Sequence, residues 1–125
     1  MDVTPLIPAG RQVINAYGDG GFRIAGIRHP GSVLVLAEQT LAWPVAALAE
    51  VTLDSLRFVR EARPRIEILL LGCGAAMAAL DPGLRAALRA EGIGVDCMDT
   101  GAACRTFNVL LSEERRAAAA LIAVS

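Results

Sequence analysis

No lysine occurs in these 125 residues; all 12 basic side chains are arginine. That excludes a mechanism built on a lysine Schiff base or a lysine nucleophile. We read the replacement as coding bias rather than chemistry. A basic surplus is missing too, since the formal net charge is −1. Aromatic residues are scarce: one Trp, one Tyr and three Phe. Without a surplus of cations to neutralise phosphates, and with few rings to stack on bases, nucleic acid is not an expected partner. Histidine is limited to His29, and the three cysteines, Cys73, Cys97 and Cys104, show no CxxC spacing. Their odd number predicts reduced thiols in a cytosol-like compartment, packed as small apolar side chains. No metal site is expected, because the chain barely possesses the ligands for one.

Long hydrophobic runs are absent as well. The longest, near 33–37 and 117–124, fall far short of the ~20 residues of a membrane span. Residues 1–8 have neither a basic start nor a sustained apolar stretch, so they are not expected to form a signal peptide. The expectation is a soluble, cytoplasmic protein without direct membrane insertion. A hydrophobic fraction of 54% with 20% charged residues fits a globular chain, and 1–125 reads as a single domain.

The chain is organised around 66–111. An apolar run over 66–71 stops at Gly72-Cys73-Gly74. Asp81 as N-cap and Pro82 at the first helical position open a helix that closes at Glu91-Gly92. A second strand follows over 93–98, and Asp99-Thr100 starts another helix. This is the pattern of a parallel βαβ unit. Thr100 is the expected cap of the last helix, with Asp99 beside its positive end. Ala103, Phe107, Leu110 and Leu111 form its apolar stripe, with Asn108 off it. Cys104 lies near the N-terminal turn, where its pKa is expected to be lowered.

Upstream, Gly18-Asp19-Gly20-Gly21 predicts a hairpin between strands at 12–17 and 22–27, with Phe22 and Ile24 facing one way and Arg23 the other. A turn is expected at His29-Pro30-Gly31-Ser32, then a strand buried on both faces over 33–37. Leu41, Trp43 and Val45 alternate as a short edge strand ending near Pro44. Leu53, Leu56 and Val59 lie on a short helix that Thr52 or Asp54 caps and Pro64 stops. Its arginines read as a solvated face. At the C-terminus, 117–120 is helical by propensity and 121–124 reads as a buried strand.

Gly72-x-Gly74 after a strand, with Asp96 near the end of the next, imitates a dinucleotide fingerprint. Met77 replaces the third glycine, and the helix starts well past the loop, so pyrophosphate would lose the helix N-terminus that holds it. We therefore expect no NAD or NADP binding.

Several stretches together carry a resemblance: Gly72-Cys73-Gly74, Gly92-Ile93-Gly94-Val95, Met98-Asp99-Thr100, the run from Ala103-Cys104-Arg105-Thr106 through Phe107-Asn108-Val109-Leu110, and Glu114-Arg115. Gly21-Phe22, the 31–35 stretch and Trp43-Pro44 fit as well. They resemble a small α/β family that includes assembly factor 3 of mitochondrial NADH:ubiquinone oxidoreductase (complex I) and many bacterial and archaeal proteins. The D-T-x-x-A-C-x-T-F/Y-N run is the most specific part, and the resemblance covers about 14–124. Cys73 stands where the family often has Thr. The resemblance implies a layered α/β fold with a mixed central sheet, flanking helices and an additional small N-terminal β layer. It implies no cofactor and no established reaction. It points to protein partners among respiratory-complex or membrane-insertion components.

Two functions are therefore carried forward. One is a non-enzymatic interaction protein assisting assembly of a membrane-associated complex. The other is a small-molecule-binding domain or enzyme using the loops after Leu71 and Met98. The lack of an acid–base or nucleophile set favours the first. Candidate ligand- or partner-binding residues are Gly72, Cys73, Gly74, Asp99, Thr100 and Asn108, gathered where open α/β sheets meet their ligands. The bland alternative is that Asp99 and Thr100 cap the helix and Asn108 ties down a loop.

Overall fold

A computed structural model describes residues 10–125, so the reading of 1–8 lies outside the described residues. Ile14–Gly18 (β1), Gly21–Ile24 (β2) and Ile27–Pro30 (β3) form an antiparallel meander. Both connections are two-residue hairpins with positive φ at each central residue: 53° and 76° at Asp19 and Gly20, then 50° and 80° at Ala25 and Gly26. Such mirror-image turns match the twist of paired strands. The second turn corrects the sequence reading, which ran one strand over 22–27 and placed the reversal at His29. An alanine at positive φ gives no turn signal. The chain reverses at Ala25-Gly26, held by the Gly26 amide donating to Asn15 Oδ1 at 2.9 Å, and His29 lies in β3 opposite Phe22.

Val33–Val35 (β4), Thr40–Ala42 (β5), Ile68–Gly72 (β6), Gly94–Met98 (β7) and Ala117–Leu121 (β8) build the main sheet, in the order β5-β4-β8-β6-β7. β6 runs parallel to both β7 and β8, and β4 runs antiparallel to β5 and β8. The parallel pair on which the sequence argument rests is present. Its crossover contains α2 (Pro82–Ala90), capped by Asp81 Oδ2, which accepts from the Leu84 amide at 3.0 Å. Ahead of them, a 3₁₀ turn at Asp54–Leu56 runs into α1 (Arg57–Arg60). Thr52 and Ser55 exchange side-chain and backbone hydrogen bonds at its start. Arg60 is not merely solvated: it holds Glu91 at 2.8 Å, joining α1 to the end of α2.

Two cores sandwich the main sheet. Leu69, Leu71, Ala118 and Ala120 face Trp43, Leu56, Val59 and Leu88 on one side. Leu70, Ala119 and Leu121 face the meander and α3 (Thr100–Ser112) on the other, through Phe22, Ile24 and Phe107. This explains the second correction. The alanine run at 117–120 is a strand, not a helix, and the residues after Leu121 continue without one. β8 is central and fully buried. Packing on both faces overrides the helix preference of alanine, which is worth only ~0.5 kcal/mol per residue.

Candidate functional site

The strand ends bring most of the predicted residues to one edge. Cys73 donates its amide to the Met98 carbonyl at 2.8 Å. The Thr100 amide donates to the Gly74 carbonyl at 2.8 Å, and the Gly74 amide donates to Thr100 Oγ1 at 3.0 Å. The Thr100 hydroxyl in turn donates to the Ile122 carbonyl at 2.7 Å. One buried side chain thus joins the loop after β6, the start of α3 and the residue after β8. Both glycines have a reason. A Cβ on Gly72 would lie 3.1 Å from Thr100 Cα and 3.0 Å from a Leu121 methyl. Gly74 has φ +105°, which favours glycine.

Thr100 is therefore not the cap expected of it. It is the first helical residue, wholly buried, its hydroxyl committed to tertiary bonds. Asp99 is the cap: its Oδ1 accepts from the Ala102 amide at 2.9 Å, and its carbonyl from the Ala103 amide at 3.0 Å. Of the three helical N–H groups that lack an intrahelical acceptor, those of Thr100 and Ala102 have protein partners, on the Gly74 carbonyl and Asp99 Oδ1, so the positive end of this helix is largely taken up. Tyr17 covers the remaining residue: a Cβ on Gly101 would lie 2.5 Å from Tyr17 Oη.

Asn108 is not brought to this edge. It stands about two turns along α3. There its Oδ1 accepts from the Ile14 amide and its Nδ2 donates to the Ile14 carbonyl, both at 2.8 Å. It imitates a neighbouring strand along β1. Beyond Gly74 the chain makes an exposed loop over 75–79 without a charged residue, in which Met77 is 68% exposed. Buried Leu80 anchors its far end, and Cys73 Sγ donates to the Ala78 carbonyl at 3.3 Å.

The cysteines differ. Burial pushes the Cys104 thiol up to about 12, the opposite of the lowered value expected at a helix start. The side chain faces the core, where desolvation outweighs the helix dipole. Cys73 and Cys97 are half-buried and pack against the same core. Burial also raises the Cys73 thiol, and the neighbouring Cys97 adds to the rise. Spacing gave no hint of this pair. The β6–β7 register makes it, setting Leu71 opposite Cys97 and so Cys73 on the same face two residues on. Among the described residues no group of three or more His, Cys, Asp or Glu side chains could hold a metal ion.

A cavity of about 400 Å³ lies at the opposite end of the sheet, where β6 and β8 begin. Arg11, Arg63, Arg115 and Arg116 line it together with Glu38, Glu114, Ile66 and Ala117, and Arg116 is paired with Glu67 at 2.6 Å. Its arginines come from three separate segments, so no local motif marks it. The one available signal was the clustering of arginine around Pro64 and the Glu113–Arg116 turn.

Comparison with known proteins places this geometry. The chain is 40% identical over 109 residues to NADH dehydrogenase [ubiquinone] 1 alpha subcomplex assembly factor 3 of Xenopus tropicalis, covering 87% of this chain and 60% of that protein. It thus spans less than two thirds of that relative's length. It is 41% identical over 114 residues to an uncharacterized protein of Rhodobacter capsulatus, covering 91% of this chain and 86% of the other. The crystal structure of an outer membrane protein from Bartonella henselae superimposes with a TM-score of 0.85 at 41% identity, over 93% of this chain and 98% of that one. No helix among the described residues is long and apolar enough to cross a membrane. With its residues 14–122 matched, the chain belongs to the family described as protein of unknown function (DUF498/DUF598), whose members include relatives named as complex I assembly factor 3.

Proposed function

We propose that this protein is a non-enzymatic interaction protein that assists assembly of a membrane-associated complex of the respiratory complex I type. It works in the cytoplasm and meets the inner membrane through a partner. The observation that carries the reading is the kinship over 87% of the chain with a protein named as an assembly factor. The uncharged 75–79 loop supports it: an exposed apolar segment tied down at both ends is a contact surface that costs little ordering entropy to bind. In this reading Gly72, Cys73, Gly74, Asp99 and Thr100 shape the edge, Met77 faces the partner, and Asn108 braces the helix behind it.

Recovery of partners from detergent-solubilised native membranes tests this. Met77→Asp should abolish recovery of the assembly intermediate while the melting temperature stays at the wild-type value. Unchanged recovery would remove this edge from the function. Asn108→Ala, compared at equal folded fraction, asks the same of the brace. The surplus of arginine over glutamate around the cavity, four to two, favours a second reading, a small anionic ligand. Stabilisation against heat by small carboxylates, lost in Arg115→Ala, would support it.

A further inference from the structure

We infer that the face of β7 left bare beside α3 is a docking groove for an amphipathic helix of a partner protein, one whose inner stripe carries an arginine or lysine between apolar residues. The groove is a feature of the fold, independent of the assembly role. On one side of the main sheet α2 covers β7, with Leu88 in the same core as Ile93 and Val95. On the other side α3 lies over β6 and β8, and β2 over β4. Among the described residues nothing lies over β7 there, although parallel strands are ordinarily covered on both faces. Val95 and Cys97 belong to the α2 side, so the pleat turns Gly94, Asp96 and Met98 to the bare one. Gly94 and Asp96 are exposed, and Met98 shares its half-buried margin with Ile68 of β6 and Leu110 of α3. Arg105 and Asn108 reach from α3 to β1. Thr106 and Leu110, four residues apart, therefore stand on the opposite flank and wall the groove. Val109, 55% exposed, extends the apolar surface outward.

Charge decides what fits. Asp96 rises from the floor and pairs with no cation among the described residues. Glu113, three residues past Leu110, adds a second negative charge at one end, and the cap Asp99 a third at the other. Arg105, the one arginine of α3, is on the far flank with Tyr17. A basic side chain over Asp96, with apolar neighbours over Ile68, Met98 and Leu110, complements this surface. A second copy would instead set Asp96 against Asp96 about a two-fold axis through β7. Strand addition is blocked at the border. The Gly94 amide donates to the Glu67 carbonyl and the Met98 carbonyl accepts from Cys73, so Gly94, Asp96 and Met98 pair with β6 and Val95 turns its backbone groups outward. Arg85 of α2 already donates to the Val95 carbonyl and stands where a further strand would pair. The open face admits a helix, about 10 Å across, laid beside α3 in the same layer.

The probe is a displayed library of helical peptides about the length of α3, selected for binding to the full chain. Selected peptides should carry an arginine or lysine with apolar residues three or four positions to either side. Asp96→Asn should weaken their binding about tenfold while the melting temperature stays at the wild-type value. Asp96→Arg should reverse the preference, taking the peptide whose basic residue is exchanged for glutamate. A Cβ on Gly94 would meet only the Glu67 carbonyl, at 3.7 Å, an ordinary contact. Gly94→Phe should therefore fold, fill the groove and abolish binding; if it does not fold, Thr106→Arg on the wall serves in its place. Met77→Asp should leave these affinities unchanged, which separates the groove from the 75–79 loop. A library that yields no binder, binders indifferent to residue 96, extended peptides that bind only in Arg85→Ala, or a dimer of the chain that Gly94→Phe dissociates would each overturn the inference.

Discussion

Replacing Thr100 by valine separates what this hydroxyl does from what a helix cap does. Valine fills nearly the same volume and keeps the β-branch, so packing against Gly72 and Leu121 is preserved. What disappears is the acceptor for the Gly74 amide and the donor to the Ile122 carbonyl, both in a site wholly out of solvent. A buried N–H left without a partner costs ~1–3 kcal/mol, and a carbonyl somewhat less because its second lone pair is often idle. Thr100→Val should therefore destabilise by about 3 kcal/mol. Thr100→Ser keeps both bonds and loses one buried methyl, for about 1 kcal/mol. Asp99→Ala removes the actual cap, also for about 1 kcal/mol. Trp43, the sole tryptophan and 3% exposed, supplies the signal for urea unfolding. For a chain of this length, the valine variant should melt about 12 °C lower, at about 4 °C per kcal/mol. If Thr100→Val costs no more than Thr100→Ser, the hydroxyl is not what binds the three segments and the reasoning fails.

Other perturbations have equally definite outcomes. Asn108→Ala should cost about 2 kcal/mol through its two bonds to Ile14 and speed hydrogen exchange at the Ile14 amide; slow exchange there would refute the strand-mimic role. Cys104 keeps its proton in the folded state up to about 12, while the unfolded thiol titrates near 9.0. Unfolding therefore releases a proton above that lower value, and stability falls with pH between the two by up to about 1.4 kcal/mol per unit. With no lysine to titrate in this range, the fall should shrink visibly in Cys104→Ala; an unchanged alkaline urea curve would show the thiol titrates normally. Gly101→Ala should push the Tyr17 ring off α3 and break its contact with Arg105, seen as a shifted tyrosine ring resonance, and any stability cost should vanish in a Tyr17→Ala background. A coupling near zero in that double-mutant cycle would show that the ring accommodates the methyl.

What was legible in the sequence was what local chemistry writes down. The Asp81-Pro82 helix start and the Asp19-Gly20 turn follow from residues within a few positions of one another, and the parallel pair follows from the strand, loop, helix and strand order over 66–98. The errors arose where a distant group decides. Thr100 and Asp99 compete for one cap, and the contest is settled by the Ile122 carbonyl, 22 residues away. Ala117–Leu121 becomes a strand because two cores close on it from opposite sides, while Ala25 tolerates positive φ because the strands on either side are already paired. At the edge itself, the loop and helix start were placed together correctly. The shared core face of Cys73 and Cys97 and the cavity where β6 and β8 begin were invisible, since strand register and chain reversal create them.

The grip of Asn108 on Ile14 bears on how this protein could polymerise. A further strand beside β1 would need the Ile14 N–H and C=O, and both are occupied. Among the described residues, β3 is then the unguarded border of the meander, its side chains mostly in solvent. Open-ended fibres through this layer require two receptive borders on every copy, one to give and one to take. Helix α3 thus spends one of its side chains on the backbone positions at Ile14 that a further strand would have to pair with, and the border it leaves open is β3.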